Sequence, residues 1–230
     1  GPPAKPPNRG RLFPMNATPS RWIALALLPA LLLSAGCSDD DDSPGGGTVL
    51  PDRYKITFYY TPVESFFGGP PQAVTGCTSI DCVSGLQDLG AYPADFIAAV
   101  RLEGSGRLTS GPYAGQYLNG SYGGNFWISS FPPDAYRSSL RPFETAAANE
   151  SGMPRGTRFR LVGPLLENGS PIPSAVESRL LDATWNVQDR FEPGYGGTMH
   201  LDLYVGDQTT PSFASSPFYL LLENTAIEVF

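Results

Sequence analysis

The chain has 230 residues, a formal net charge of −7, and 16% charged residues against 41% hydrophobic and 12% aromatic. That balance supports a sizeable core and excludes a charged coiled coil or a disordered acidic chain; the acidic surplus also argues against nucleic acid as a partner, because phosphate binding needs a basic surface. One histidine, His200, and three cysteines are too few for a multi-histidine or thiolate metal centre, and no dinucleotide fingerprint or phosphate loop is present, so no cofactor is implied.

Residues 1–36 hold four basic residues, Lys5, Arg9, Arg11 and Arg21, and no acid. Arg21 is followed by a mostly apolar run of fourteen residues, 22–35, interrupted by Pro29 and Ser34. A membrane span needs about 20 residues, so this run reads as the apolar region of a secretory signal, with Met15 a candidate initiator. It ends in Leu33, Ser34, Ala35, Gly36 and Cys37, which resembles a bacterial lipobox. The resemblance implies cleavage before Cys37, a lipid anchor on its thiol, and, with Ser38 rather than Asp next, sorting to the outer membrane facing the periplasm. The alternative is a plain signal peptide with an incidental cysteine.

Without residues 1–36 the chain keeps 11 basic and 22 acidic residues, a net charge of −11. Residues 37–53 follow as the anchor and a tether, with four consecutive aspartates at 39–42 and then Ser, Pro and three Gly. Such a stretch is solvated and extended. Cys77 and Cys82, an even pair at C-x4-C spacing in an oxidising compartment, read as a local disulfide.

From residue 54 to 230 the pattern is period two, with 20 Gly and 15 Pro punctuating it. Tyr54, Ile56, Phe58 and Tyr60 alternate with Lys55, Thr57, Tyr59 and Thr61, and Leu201, Leu203 and Val205 alternate with His200, Asp202 and Tyr204. Further strands are predicted at 96–103, 157–162, 180–187, 218–222 and 225–230. Residues 135–150 have room for a helical turn, interrupted by Pro142. Residues 62–145 read as a long, loop-rich insertion. The fold class is all-β: a small closed barrel with long loops and few short helices.

Four patterns, in order across residues 58–206, resemble the membrane-bound lytic transglycosylase A family and its three-aspartate domain. They are Phe58-Tyr59-Tyr60-Thr61-Pro62, Glu103-Gly104-Ser105-Gly106-Arg107-Leu108, the segment from Ala147 to Thr157, and Gln188-Asp189 followed by His200 to Gly206. The resemblance implies a double-psi β-barrel acting on peptidoglycan glycan strands, with cleavage between N-acetylmuramic acid and N-acetylglucosamine to a 1,6-anhydro product. It carries the catalytic acid/base onto Asp202 and a helper carboxylate onto Asp189. It offers Tyr60, Thr61, Ser105, Arg107 and His200 as substrate contacts. The first of the family's three aspartates is Asn149 here, and the Gly-rich turn after Asp189 is replaced.

The residues alone leave other roles open. Asp202 also fits a solvated strand face and Asp189 a turn cap; Tyr60 is in phase with core residues, and Gly104 to Gly106 fits a simple turn. A non-catalytic module of the same fold, binding glycan or a partner protein in the cell envelope, is the alternative function. Protein partners are not identified by the sequence.

Overall fold

The structure, a computed structural model, describes residues 46–80, 86–121, 124–191 and 194–230. The signal, Cys37, most of the tether and Cys82 lie outside the described residues. Residues 47–230 form one compact unit.

In chain order its elements are β1 (Thr48–Val49), β2 (Tyr54–Thr61), β3 (Pro71–Cys77), β4 (Gln87–Pro93), α1 (Ala94–Glu103), β5 (Ser105–Arg107), β6 (Tyr117–Gly120) and β7 (Phe126–Ser129). Then come β8 (Thr145–Ala148), β9 (Arg158–Val162), β10 (Leu166–Glu167), β11 (Ser170–Pro171), α2 (Ser174–Leu181), β12 (Trp185–Arg190), β13 (His200–Asp207) and β14 (Leu222–Val229).

Six strands close a ring in the order β14, β2, β13, β8, β12, β9 and back to β14. Two of its pairings, β2 with β13 and β8 with β12, are parallel, and the others are antiparallel. This is the closed barrel expected from the sequence, and closure removes the unpaired edges an open sheet would expose. Alternation fills it: Ile56, Phe159, Trp185, Leu201, Leu203 and Ile227 are fully buried inside. The barrel depends on β8, whose four residues, Thr145 and three alanines, are all buried, and whose three alanines are paired on both sides. Alanine is a weak strand former, so double pairing rather than propensity holds β8 extended.

The segment 62–145 is more ordered than a loop-rich insertion. It carries a second sheet, in the order β4, β3, β7, β6, β5, with α1 packed on it. Its core of Leu89, Phe96, Ile97, Val100, Leu118 and Ile128 is separate from that of the barrel. The second sheet joins the end of β2: Val63 bridges Arg107, and the Arg107 N–H donates to the Pro62 carbonyl at 2.8 Å. Beside this junction the buried Glu64 carboxylate accepts from the backbone N–H groups of Thr109 at 2.7 Å and Ser110 at 2.9 Å, and from the Ser110 hydroxyl.

Four sequence expectations fail locally. Residues 96–103 lie in α1 and not in a strand: Phe96, Ile97 and Val100 form a helical stripe, and Gly104, at φ +91°, caps the helix with its N–H on the Val100 carbonyl. The stretch 180–187 is the end of α2, a turn and the start of β12. No strand forms at 218–221, and β14 begins at Leu222. Residues 135–150 hold β8 and no helix.

Candidate functional site

The barrel's connectivity builds the site. The parallel ladder sets Asp202 opposite Thr57 and Tyr204 opposite Tyr59. On the other side of β13, Asp202 stands opposite Ala147 of β8. A register shift between Val187 and Asp189 in β12 then brings Asp189 opposite the same Ala147. Directly opposed residues share a face, so the two carboxylates lie on one outward face of the barrel, two strand spacings or about 10 Å apart at Cα, with a methyl group between them. A straight β12 would have offered Gln188 at this level. The bulge re-aims the strand so that the aspartate is presented instead.

Asp202 is half-buried and accepts, at Oδ1, a 2.8 Å hydrogen bond from the Thr57 hydroxyl. The same hydroxyl oxygen is 2.8 Å from His200 Nε2. The His200 ring packs against Phe191, with ring centroids 4.8 Å apart. Burial, and secondarily the charge of Lys55, bring the His200 pKa down to about 4, so the imidazole is neutral at neutral pH.

Asp189 is held on both oxygens. Oδ1 accepts from the backbone N–H groups of Ala135 and Arg190, each at 2.8 Å, and Oδ2 accepts from the Tyr59 hydroxyl at 3.1 Å. Desolvation raises its pKa, and the two backbone hydrogen bonds oppose that rise. Tyr59 is raised well above an ordinary phenol, first by burial and then by the charges of Asp189 and Asp202, so it remains a donor. A second acid, Asp134, anchors the loop that covers β12. It is buried and accepts from the N–H groups of Tyr136 and Ser138, each at 2.8 Å, and from Gln188 Nε2 at 3.0 Å.

The other sequence candidates are dispersed. Tyr60 points to the opposite face of β2, stacked on Phe213 at 3.9 Å. Thr61 is buried, with its hydroxyl 2.7 Å from that of Tyr204. Ser105 is buried in the second sheet and donates to Asn119 Oδ1 at 2.6 Å. Arg107 is exposed and pairs with Asp207 at 3.0 Å, and Gly206 at φ +100° lies at the register shift of β13 just before this acid. Asn149 accepts from the N–H and hydroxyl of Ser151, closing a local turn. Cys77 is disulfide-bonded.

Thr57, Tyr59 and Ala147 were not singled out from the sequence, although the alternation of β2 had already put Thr57 and Tyr59 on its polar face. Two surface hollows of about 480 and 580 Å³ meet at Asn186, and neither includes Asp202 or Asp189. Among the described residues, no cluster of His, Cys, Asp and Glu has the makings of a metal site.

No protein-family model matches the sequence, and no curated protein matches it. Solved structures match the fold. The membrane-bound lytic murein transglycosylase from Agrobacterium tumefaciens superposes with a TM-score of 0.52 at 10% identity, over 79% of this chain and 75% of its own. MltA from E. coli with bound chitohexaose does so with a TM-score of 0.50 at 15% identity, over 77% of this chain and 71% of its own. The chain thus has the mainly β, closed-barrel fold of the MltA-type lytic transglycosylases, the resemblance first read from its motifs. At these identities the likeness establishes fold and leaves activity to be argued from the site.

Proposed function

We propose that the protein acts on peptidoglycan as a lytic transglycosylase, with Asp202 as its acid/base. The observation that carries this reading is the row of Thr57, Asp202, Ala147 and Asp189 across adjacent strands of that fold. The chemistry needs one carboxyl group. Protonated Asp202 gives its proton to the glycosidic oxygen as the bond between N-acetylmuramic acid and N-acetylglucosamine breaks. The resulting carboxylate then takes the proton of the sugar's own 6-hydroxyl, whose oxygen closes the 1,6-anhydro ring. The nucleophile is intramolecular and already in place. No water is consumed, so a second carboxylate to activate it is not required.

Asp189 serves as the helper by fixing Tyr59 and the loop at Ala135, since both its oxygens are engaged within the protein. Tyr60 and Arg107 retain accessible surface for substrate, whereas Thr61 and Ser105 contribute by shaping the strands that carry the site. The bound chitohexaose of the E. coli relative supports a glycan strand as the ligand.

The lipobox-like Cys37 supports a lipid anchor in the bacterial envelope, facing the periplasm from the outer membrane; among the described residues no helix is long and apolar enough to cross a membrane. Cys37→Ala moves the protein from the membrane fraction to the soluble one if the anchor is real. Incubating the soluble domain with purified sacculi and measuring 1,6-anhydromuropeptides tests the activity.

One observation favours the second reading, a non-catalytic glycan- or protein-binding envelope module. Asn149 stands where the family pattern has its first aspartate, and its side chain closes its own turn. Sedimentation with sacculi without release of soluble fragments is the result that this reading predicts.

A further inference from the structure

The hydroxyl of Thr57 has one proton and two neighbours, Asp202 Oδ1 and His200 Nε2, each 2.8 Å from its oxygen. Asp202 Oδ1 accepts from the Thr57 hydroxyl, so the Thr57 proton is committed to Asp202. Thr57 is then left to accept from His200. A neutral imidazole has one N–H and one bare nitrogen, which places the ring hydrogen on Nε2 and leaves Nδ1 bare. The ring is kept in this orientation by its contact with Phe191.

We infer that His200 is a positioning residue: its Nε2–H donates to Thr57, which fixes Thr57 as a donor to Asp202 Oδ1 and so orients the carboxyl group that transfers the proton. His200 thus acts behind Asp202 rather than on the sugar. Two fixed hydrogen bonds in series orient the carboxyl group, as outer partners orient the working group in other acid/base sites. The positioning role rests on the reading of Asp202 as the acid, whereas the tautomer does not.

The chain contains a single histidine, so its ring nitrogens give one unambiguous pair of ¹⁵N resonances in the full-length protein. At neutral pH the expected spectrum has hydrogen on Nε2 and a bare Nδ1, and Thr57→Val erodes that preference. Hydrogen on Nδ1 overturns the inference. In parallel, His200→Phe is expected to lower kcat on soluble glycan strands at least tenfold with KM within twofold. His200→Gln, whose amide N–H reaches toward Thr57, is expected to regain most of the loss.

Full kcat in the folded His200→Phe variant, or no recovery in the folded His200→Gln variant, overturns the positioning role while leaving Asp202 as the acid. Absence of any anhydro product from wild type defeats the reading of Asp202, and the positioning role with it, even if the ring hydrogen is on Nε2.

Discussion

Asp202 and Asp189 stand opposite the same residue, Ala147, one on each of the strands that flank β8. They are 13 positions apart in sequence, yet their spacing is set by a third strand that contributes only a methyl group. Ala147 is 5% exposed, so there is little room above it before a larger side chain enters the gap between the acids. Ala147→Leu is expected to cost about 1–3 kcal/mol by overpacking a buried position without abolishing the fold, and to reduce release of anhydromuropeptides at least about tenfold by displacing the reacting sugar. Circular dichroism and the sacculus assay on the same preparation separate the two effects.

Asp189 offers a contrast between two substitutions. Asp189→Asn keeps an oxygen for the Ala135 and Arg190 N–H groups, so its unfolding free energy should stay within about 1 kcal/mol of wild type. Its turnover should fall, because the amide no longer fixes the Tyr59 hydroxyl as a donor. Asp189→Ala leaves those donors without their partner and should cost about 2–3 kcal/mol. Urea unfolding of the two variants, beside their rates, distinguishes the loss of the hydrogen-bond anchor from the loss of the charge.

Glu64 belongs to the junction between barrel and second sheet and not to the site. Its buried carboxylate satisfies two backbone N–H groups and the Ser110 hydroxyl. Glu64→Ala leaves all of them unmet and should destabilise the protein by about 3 kcal/mol. Glu64→Gln, which keeps one acceptor oxygen, should lose less. Equilibrium denaturation ranks the pair.

Acid should weaken the fold partly through His200. Its pKa is about 4 in the folded chain against 6.5 for an ordinary histidine, so the unfolded chain binds the extra proton first. The stabilisation from keeping the ring neutral is complete above pH 6.5, declines as the pH falls from there, and is gone below about 4. A histidine-free variant such as His200→Phe should therefore lose less Tm than wild type over that interval. Thermal unfolding at a series of pH values checks the difference, and parallel curves would contradict it.

How far the sequence could be read depended on whether the information was local. Alternation along 200–203 correctly put Leu201 and Leu203 inside and Asp202 outside, because a strand's period is written in consecutive residues, whereas past it the shift in β13 leaves Tyr204 buried and Val205 partly exposed. Pairing is not written there. Thr57 meets Asp202 across 145 positions, and Ala147 carries no chemical signal of its own, so neither stood out.

The failure at α1 has a different cause. Phe96, Ile97 and Val100 look strand-like by type, but their spacing and the intervening Ala98 and Ala99 suit a helix, and Gly104 supplies its end. The second sheet was missed because three of its strands, β5, β6 and β7, span only three or four residues and two of its inner positions are glycines. At Gly76 and Gly106 an added Cβ would fall 2.1 Å from the Phe126 carbonyl oxygen and 2.4 Å from Val100, so close packing required residues that read as turns.

The central claim is that Asp202 is the acid/base of a peptidoglycan-cleaving site. The most direct measurement compares wild type with Asp202→Asn on purified sacculi, quantifying 1,6-anhydromuropeptides by mass spectrometry. The account predicts that wild type releases them and that Asp202→Asn, folded and still binding sacculi, releases at least about 100-fold less. Equal release from the two proteins, or none from wild type, would contradict it.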